Sequence, residues 1–263
     1  MERIMTGIYF SGTGNTKHCI EKFITAVSSD KKRLSRHTPQ LISIEEPDRA
    51  TEALKTSQDM VIFAYPIYYS NLPKIVRDFI VENKDIWRGK KIFIICSMGL
   101  FSGDGAGVSA RIFRQYGADI IGGVHVIMPD CICDVKLLKF SADKNQKIIG
   151  KADSKLETAA HRLINGRPPQ NGLNFFAHLA GLFGQRLWFY NTTRHYSDKL
   201  KIHDDSCIKC GKCTTVCPMH NLTITGGKVT TAGKCTMCYR CVNQCPQKAI
   251  TLIGKKGTTP QSE

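Results

Sequence analysis

The end of the chain carries the feature that most limits its fold. "CIKCGKCTTVCP" and "CTMCYRCVNQCP" both read C-x2-C-x2-C-x3-C-P, placing Cys207, Cys210, Cys213 and Cys217 in one run and Cys235, Cys238, Cys241 and Cys245 in a second. The shift between runs, 235 − 207 = 28 residues, extends beyond the cysteines: Pro218 matches Pro246, Leu222 matches Ile250, and Gly226 matches Gly254. A duplicated unit of about 25 residues implies a small domain with pseudo-two-fold symmetry. Three thiolates spaced by two residues wrap one face of an iron–sulfur cubane and leave the fourth iron for a ligand from elsewhere. The alternative is zinc, which takes four ligands and has no use for a third cysteine two residues on. Each Pro stops the turn, and Gly211 lets backbone amides approach the sulfurs.

Four further cysteines, Cys19, Cys96, Cys131 and Cys133, complete the twelve. They read as ordinary small apolar residues, and the Cys131-Ile-Cys133 pair lacks two further ligands nearby. The dense cluster implies metal binding in a reducing compartment rather than disulfides, so the expected location is the cytoplasm. No stretch resembles a cleaved secretory leader, and none approaches the length of a transmembrane segment.

The rest of the chain reads as strands alternating with helices. Residues 4–10, 41–44, 60–65, 91–97 and 121–128 are apolar runs of strand length. Helical spacing occupies 15–28, 74–83, 106–117 (closed by Gly117) and 144–165 (closed by Asn165-Gly166). That alternation predicts an α/β fold, a doubly wound five-stranded parallel sheet, with ligands at the carboxyl ends of its strands. The informative loops are then 11–16, 66–72 and 97–105. The expected organisation is one domain over 1–165, a linker segment over 166–198 and a second small α+β domain over 199–256. "GRPPQNG" (166–172) is a linker by composition. The apolar stretch 173–190, if helical, packs between the domains, forms a dimer interface or lies on a membrane surface.

"YFSGTGNTKHC" (Tyr9–Cys19) has the composition of a phosphate-holding loop. It fails the Walker A pattern, because Thr13 stands where Lys is needed, and it fails G-x-G-x-x-G, because Lys17 follows in place of the last Gly. What remains is a loop of hydroxyls and amides at a helix start, suited to a small dianionic phosphate.

Residues 200–255 resemble the bacterial two-cluster [4Fe–4S] ferredoxins. In that family the last cysteine of each run ligates the other cluster. The resemblance implies one ligand set of Cys207, Cys210, Cys213 and Cys245 and another of Cys235, Cys238, Cys241 and Cys217. One departure is charge: from Lys199 onward there are ten Lys/Arg against three Asp/Glu, whereas clostridial-type ferredoxins are typically acidic. "SGTGNT" after the first strand resembles the phosphate loop of flavodoxins, over about residues 1–165, and implies FMN. Its phosphate would lie against Ser11, Gly12, Thr13, Gly14, Asn15 and Thr16. The second loop, Pro66, Ile67, Tyr68, Tyr69, Ser70 and Asn71, would face the isoalloxazine, with Tyr68 or Tyr69 stacked on it. The third, with Ser97, Met98, Gly99, Phe101, Ser102 and Gly103, would bring small residues to the pyrimidine edge. Many flavodoxins have a Gly beside flavin N5 whose peptide flips; in this loop Asn71 best tolerates positive φ.

The whole chain looks like the flavodoxin–ferredoxin fusion proteins of anaerobic bacteria and archaea, known as EFR-type ferredoxins. The resemblance implies electron transfer between two [4Fe–4S] clusters and FMN; the alternative it leaves open is an FMN-dependent reductase of a quinone, nitro compound or unsaturated cofactor. A redox sensor is a further reading, disfavoured by the absence of any DNA-binding pattern. The formal charge of +15 would fall by about six on loading two clusters and one flavin phosphate. No basic run interleaved with aromatics points to nucleic acid, so the excess charge suggests redox partner proteins with acidic docking surfaces. A homodimer is also compatible. His178, His195, His203 and Asp104 read as packing, surface or turn residues.

Overall fold

The structure, a computed structural model, describes residues 3–29, 37–57, 60–100, 104–133, 140–181 and 199–254. Its first part is a five-stranded parallel sheet in the order β2-β1-β3-β4-β5, with β1 Arg3–Tyr9, β2 His37–Ser43, β3 Met60–Pro66, β4 Lys91–Met98 and β5 Asp119–Ile127. Strands β3 and β4 are apolar at nearly every position because helices cover both faces of the sheet. The helices are α1 Asn15–Ser28, α2 Pro47–Thr56, α3 Lys74–Glu82, α4 Gly105–Gln115 and α5 Ala142–Ile164. Gly117 and Gly166 follow α4 and α5 at φ 81° and 71°, the left-handed stop expected of them.

Two cores result. On one face Phe63, Phe79, Trp87 and Phe113 form edge-on and stacked pairs, with centroid separations down to 4.8 Å between Trp87 and Phe113. The Trp87 indole donates to the Ile80 carbonyl at 2.8 Å, so no polar group is stranded there. On the other face α1 and α5 pack over Phe23, Phe93 and Leu156. A Cβ at Gly7 would come within 2.6 Å of Ile24 Cδ1, which fixes how closely α1 rides on β1.

The segment 166–172 is no loose tether. Gly123 donates to the Pro169 carbonyl at 2.8 Å and accepts from Asn171 N–H at 2.9 Å, so the segment runs along β5 and covers the exposed edge of the sheet. Helix α6 (Phe175–Gly181) follows. Its His178 Nδ1 lies 3.1 Å from Asp104 Oδ2, and Arg111 Nη1 lies 2.9 Å from the same oxygen. Asp104 is thus a buried anchor for α6 beyond its place in a turn. Residues 182–190 of the apolar stretch, and His195, fall outside the described residues.

The last part contains two small antiparallel pairs, β6 (Lys201–Ile202) with β9 (Ile250–Thr251) and β7 (Leu222–Thr225) with β8 (Lys228–Thr231), plus α7 (Lys212–Val216) and α8 (Arg240–Gln244). The repeat is written into the backbone: positive φ recurs at Lys209 and Met237 (58° and 60°), Gly211 and Tyr239 (76° and 58°), and His220 and Lys248 (47° and 49°). Leu200, Leu222, Val242, Ile250 and Leu252 form its core. So little apolar area leaves a unit of this size marginal without staples.

Candidate functional site

At the carboxyl ends of the strands lies a cleft of about 380 Å³, within the range that holds organic cofactors. Ser11, Gly12, Thr13, Asn15 and Thr16 form one wall; Pro66, Ile67, Tyr68, Tyr69 and Ser70 form the second; Ser97, Met98 and Gly99 belong to the third. Gly14 and Asn71 lie off the lining, while Phe101, Ser102 and Gly103 fall outside the described residues. Gly14, at φ 104°, opens α1 and donates to Ser11 Oγ at 3.1 Å. That oxygen also accepts from Lys17 N–H at 3.3 Å. A hydroxyl with both lone pairs engaged has its proton left to donate, which suits an anionic oxygen. The loop is fixed to the sheet by Thr16 and Ser97 hydroxyls 2.7 Å apart and by Asn15 Nδ2 donating to the Pro129 carbonyl at 2.7 Å.

The second loop corrects one expectation. Tyr68 and Asn71 exchange backbone hydrogen bonds at 3.2 and 3.0 Å, so Tyr69 and Ser70 form a two-residue turn at φ 50° and 59°. Both central positions of such a turn require positive φ, and the strain therefore falls on Tyr69 and Ser70 rather than on Asn71. Tyr68 is buried in the sheet's core, while Tyr69 is half-buried at the cleft.

Two further walls escaped sequence reasoning. One is the segment after β5, Met128 to Ile132, which lines the cleft with Asp130 and Cys131. Burial raises the Asp130 carboxyl above its ordinary range, partly offset by the amides of Ile132 and Cys131; burial, then Asp130 beside it, pushes the Cys131 thiol well up. The signal was present: "MPDCIC" follows a strand at the edge where ligands bind. Cys131 packs against both the sheet's core and the C-terminal core, as a small apolar residue would, and lines the cleft as well. The other wall is Met237 and Tyr239, from the duplicated motif.

The eight cysteines gather as two quartets around separate small cavities. Cys207, Cys210, Cys213 and Cys245 line one; Cys217, Cys235, Cys238 and Cys241 line the other. We call these the outer and inner quartets. Backbone amides point at the sulfurs: Asn221 N–H to Cys217, Met237 N–H to Cys235 and Ala249 N–H to Cys245, at 3.2–3.3 Å. Burial pushes the Cys238 thiol up to about 12, so cationic iron is what would draw the proton off. Among the described residues, each cavity is lined by four thiols and by no His, Asp or Glu, a donor set that suits an iron–sulfur cage.

The inner quartet abuts the cleft. Tyr239 lines both cavities. A Cβ on Gly12 would overlap the Tyr68 hydroxyl and sit 2.7 Å from the Cys238 carbonyl, so loop and cysteine touch only because residue 12 has no side chain. Arg240 clamps the contact: Nε donates to Gly12 O at 2.9 Å, Nη2 to Ser11 O at 2.7 Å, and the fork pairs with both Glu45 oxygens at 2.6 and 2.7 Å. Its pKa is raised, first by the Glu45 bond. Asn243 Nδ2 adds a bond to Cys131 O at 3.1 Å. Neither Tyr239 nor Arg240 stands out in the sequence except by comparison within the repeat, where Gly211 and Lys212 hold the matching positions.

A family model for a flavodoxin domain matches residues 8–126, and one for a 4Fe–4S dicluster domain matches residues 199–246. Among solved structures, the two-electron reduced flavodoxin of Megasphaera elsdenii is 22% identical, with a TM-score of 0.40, over 57% of this chain and 98% of its own. The Trp repressor binding protein of Bacillus subtilis is 20% identical (TM-score 0.41; 60% of this chain, 96% of its own). A Streptococcus pneumonia flavodoxin is 16% identical (TM-score 0.43; 62% and 98%). No curated protein matches the chain. No helix among the described residues is long and apolar enough to cross a membrane. The chain joins an N-terminal flavodoxin domain to a C-terminal ferredoxin-type dicluster domain, and so is an electron-transfer protein of the FMN and iron–sulfur class.

Proposed function

We propose that the chain is a linear relay in which an outside donor feeds the outer quartet, the inner quartet follows, and FMN in the cleft is the terminus. When bound, each [4Fe–4S] cluster carries one electron at a time and FMN stores one or two. The single observation that supports this order is the shared wall: Tyr239 borders both the inner cavity and the cleft, while Cys210 of the outer quartet is exposed.

The chain's residues would act as follows. Ser11, Thr13, Asn15 and Thr16 hold the phosphate; Tyr69, on its strained turn, flanks the ring; Met237 and Tyr239 keep water from the junction with the inner quartet. Covalent tethering, tightened by Arg240, keeps the two domains at high mutual concentration. The proposed domain limits remain 1–165, 166–198 and 199–256, with the middle segment partly docked on β5.

A second reading has one observation in its favour. Asp130 lines the cleft with a carboxyl raised by burial. A carboxyl raised in this way holds its proton to higher pH than an ordinary one and can hand it on, which reduction of a quinone, nitro compound or unsaturated cofactor requires and a bare relay does not.

The test is anaerobic purification followed by metal, flavin and redox analysis. The expected protein contains one FMN and eight irons, with potentials rising from outer cluster to inner cluster to FMN. Zinc in place of iron ends the relay reading, and the opposite order of potentials reverses its direction. Substrate-driven reoxidation of FMN that is lost in Asp130→Asn would favour the reductase.

A further inference from the structure

The duplication gives each quartet an equivalent outward face, and the chain uses one of them internally. In the second repeat that face is Met237, Tyr239 and Arg240, seated on the flavodoxin domain with Arg240 forked onto Glu45. In the first repeat the same positions are Lys209, Gly211 and Lys212, with matching positive φ at Lys209 and Gly211. Lys209, Cys210 and Lys212 are exposed, and Ile208 beside them is 60% exposed. The β7–β8 hairpin extends the face with Ile224, 45% exposed, and Lys228. The two loops form one surface: Ile224 Cδ1 and Lys209 Nζ lie 3.8 Å from the points where a Cβ on Gly211 and on Gly227, respectively, would stand.

We infer that this face is the docking surface for a separate electron-carrier protein whose redox centre is ringed by carboxylates. The inference rests on the relay reading above and deepens it by naming the chemistry of the donor. Two exposed isoleucines rimmed by Lys209, Lys212 and Lys228 are an apolar centre in a basic border, the pattern of a docking patch steered by charge. Asp204, 3.6 Å from Lys228, is the acid paired within the rim. A second copy of the chain fits less well. Both copies carry large positive charge, and Glu45, the carboxylate that meets this face in the internal version, is already held by Arg240.

The test uses the anaerobic holoprotein and, as probe, a reduced acidic two-cluster ferredoxin of the clostridial type, mixed by stopped flow over a range of salt. Native protein should react fastest at low salt and slow as salt rises. Lys209→Glu/Lys212→Glu should slow the reaction about tenfold or more at low salt and flatten the salt dependence. The charge-matched control Lys147→Glu/Lys151→Glu, on the exposed side of α5, should change it by no more than about twofold.

Equal slowing in both pairs, or none in either, overturns the docking face. Iron content, cluster EPR and the rate with reduced methyl viologen report separately on the relay: loss of these in native protein sinks that reading, whereas their retention beside an unchanged ferredoxin rate sinks only the docking. Self-association, oligonucleotide binding or binding to anionic vesicles that disappears in the Lys209→Glu/Lys212→Glu pair, while the ferredoxin rate stands, also overturns it. Each of these would identify a different occupant.

Discussion

Replacing Arg240 with Ala should uncouple the two domains. Its guanidinium makes five hydrogen bonds, two to phosphate-loop carbonyls, two to Glu45 and one, at 3.2 Å, to Val216 O. Breaking a fully buried ion pair costs about 3–5 kcal/mol. Glu45 retains 27% of its exposure and borders a second cleft of about 450 Å³, so water recovers part of that cost; about 1–2 kcal/mol is the appropriate share. Each stranded loop carbonyl adds about 1 kcal/mol, less where water reaches it. The sum, about 3 kcal/mol, is roughly a hundredfold in the docked-to-undocked ratio. Arg240→Lys keeps the charge but not the fork and should lose about half of that. The assay is single-turnover reduction of bound FMN by photoreduced clusters, with limited proteolysis of 166–198 as the structural readout. Arg240→Ala should slow the first and accelerate the second, with iron and flavin content unchanged. Native rates for both in Arg240→Ala would refute the clamp.

Gly12→Ala should weaken FMN binding at least tenfold, read by flavin fluorescence, because its Cβ would collide with the Tyr68 hydroxyl and the Cys238 carbonyl. Tyr239→Gly should relieve a left-handed strain of about 1 kcal/mol yet lose a ring that is 2% exposed; the expected net result is a lower melting temperature and slower FMN reduction, and a gain in both would remove Tyr239 from the junction. His125 supplies a pH signature: burial, then Lys155, lowers its pKa to about 4, and its Nε2 accepts from Ala106 N–H at 3.0 Å. The unfolded chain protonates this residue near 6.5 and the folded chain does not, so stability should fall as pH drops from about 6.5 to 4, by about 3 kcal/mol at most. His125→Gln should flatten that slope in denaturant titrations.

Sequence reading reached furthest where chemistry depends on spacing. The five strands, the helix-ending glycines and the two cysteine runs all follow from local pattern or repeat, whereas the crossing of the last cysteine between quartets came from the resemblance to two-cluster ferredoxins. Helix α2 did not, because its buried stripe is short, only Ala50, Ala53 and Leu54, and two of the three are small alanines in an otherwise polar segment. The strained turn at Tyr69-Ser70 was hidden because the pairing of Tyr68 with Asn71, not the preference of either central residue, dictates it. Tyr239 and Arg240 were hidden for a related reason: their meaning lies in what is packed on the far side of a domain contact. A tyrosine in a left-handed position where its repeat counterpart has glycine is, in retrospect, the local mark of that contact.

Arg240 and Gly12 meet across a sequence separation of 228 residues, so the last wall of the cleft is also the last to be synthesised. A growing polypeptide completes its fifth parallel strand at Ile127 and adds 234 − 127 = 107 more residues before Cys235. Until then the cleft has no lid on that side. In the relay proposed above, a flavin would enter a cleft still open on that side, and the second cysteine run, once folded against Gly12, would close it.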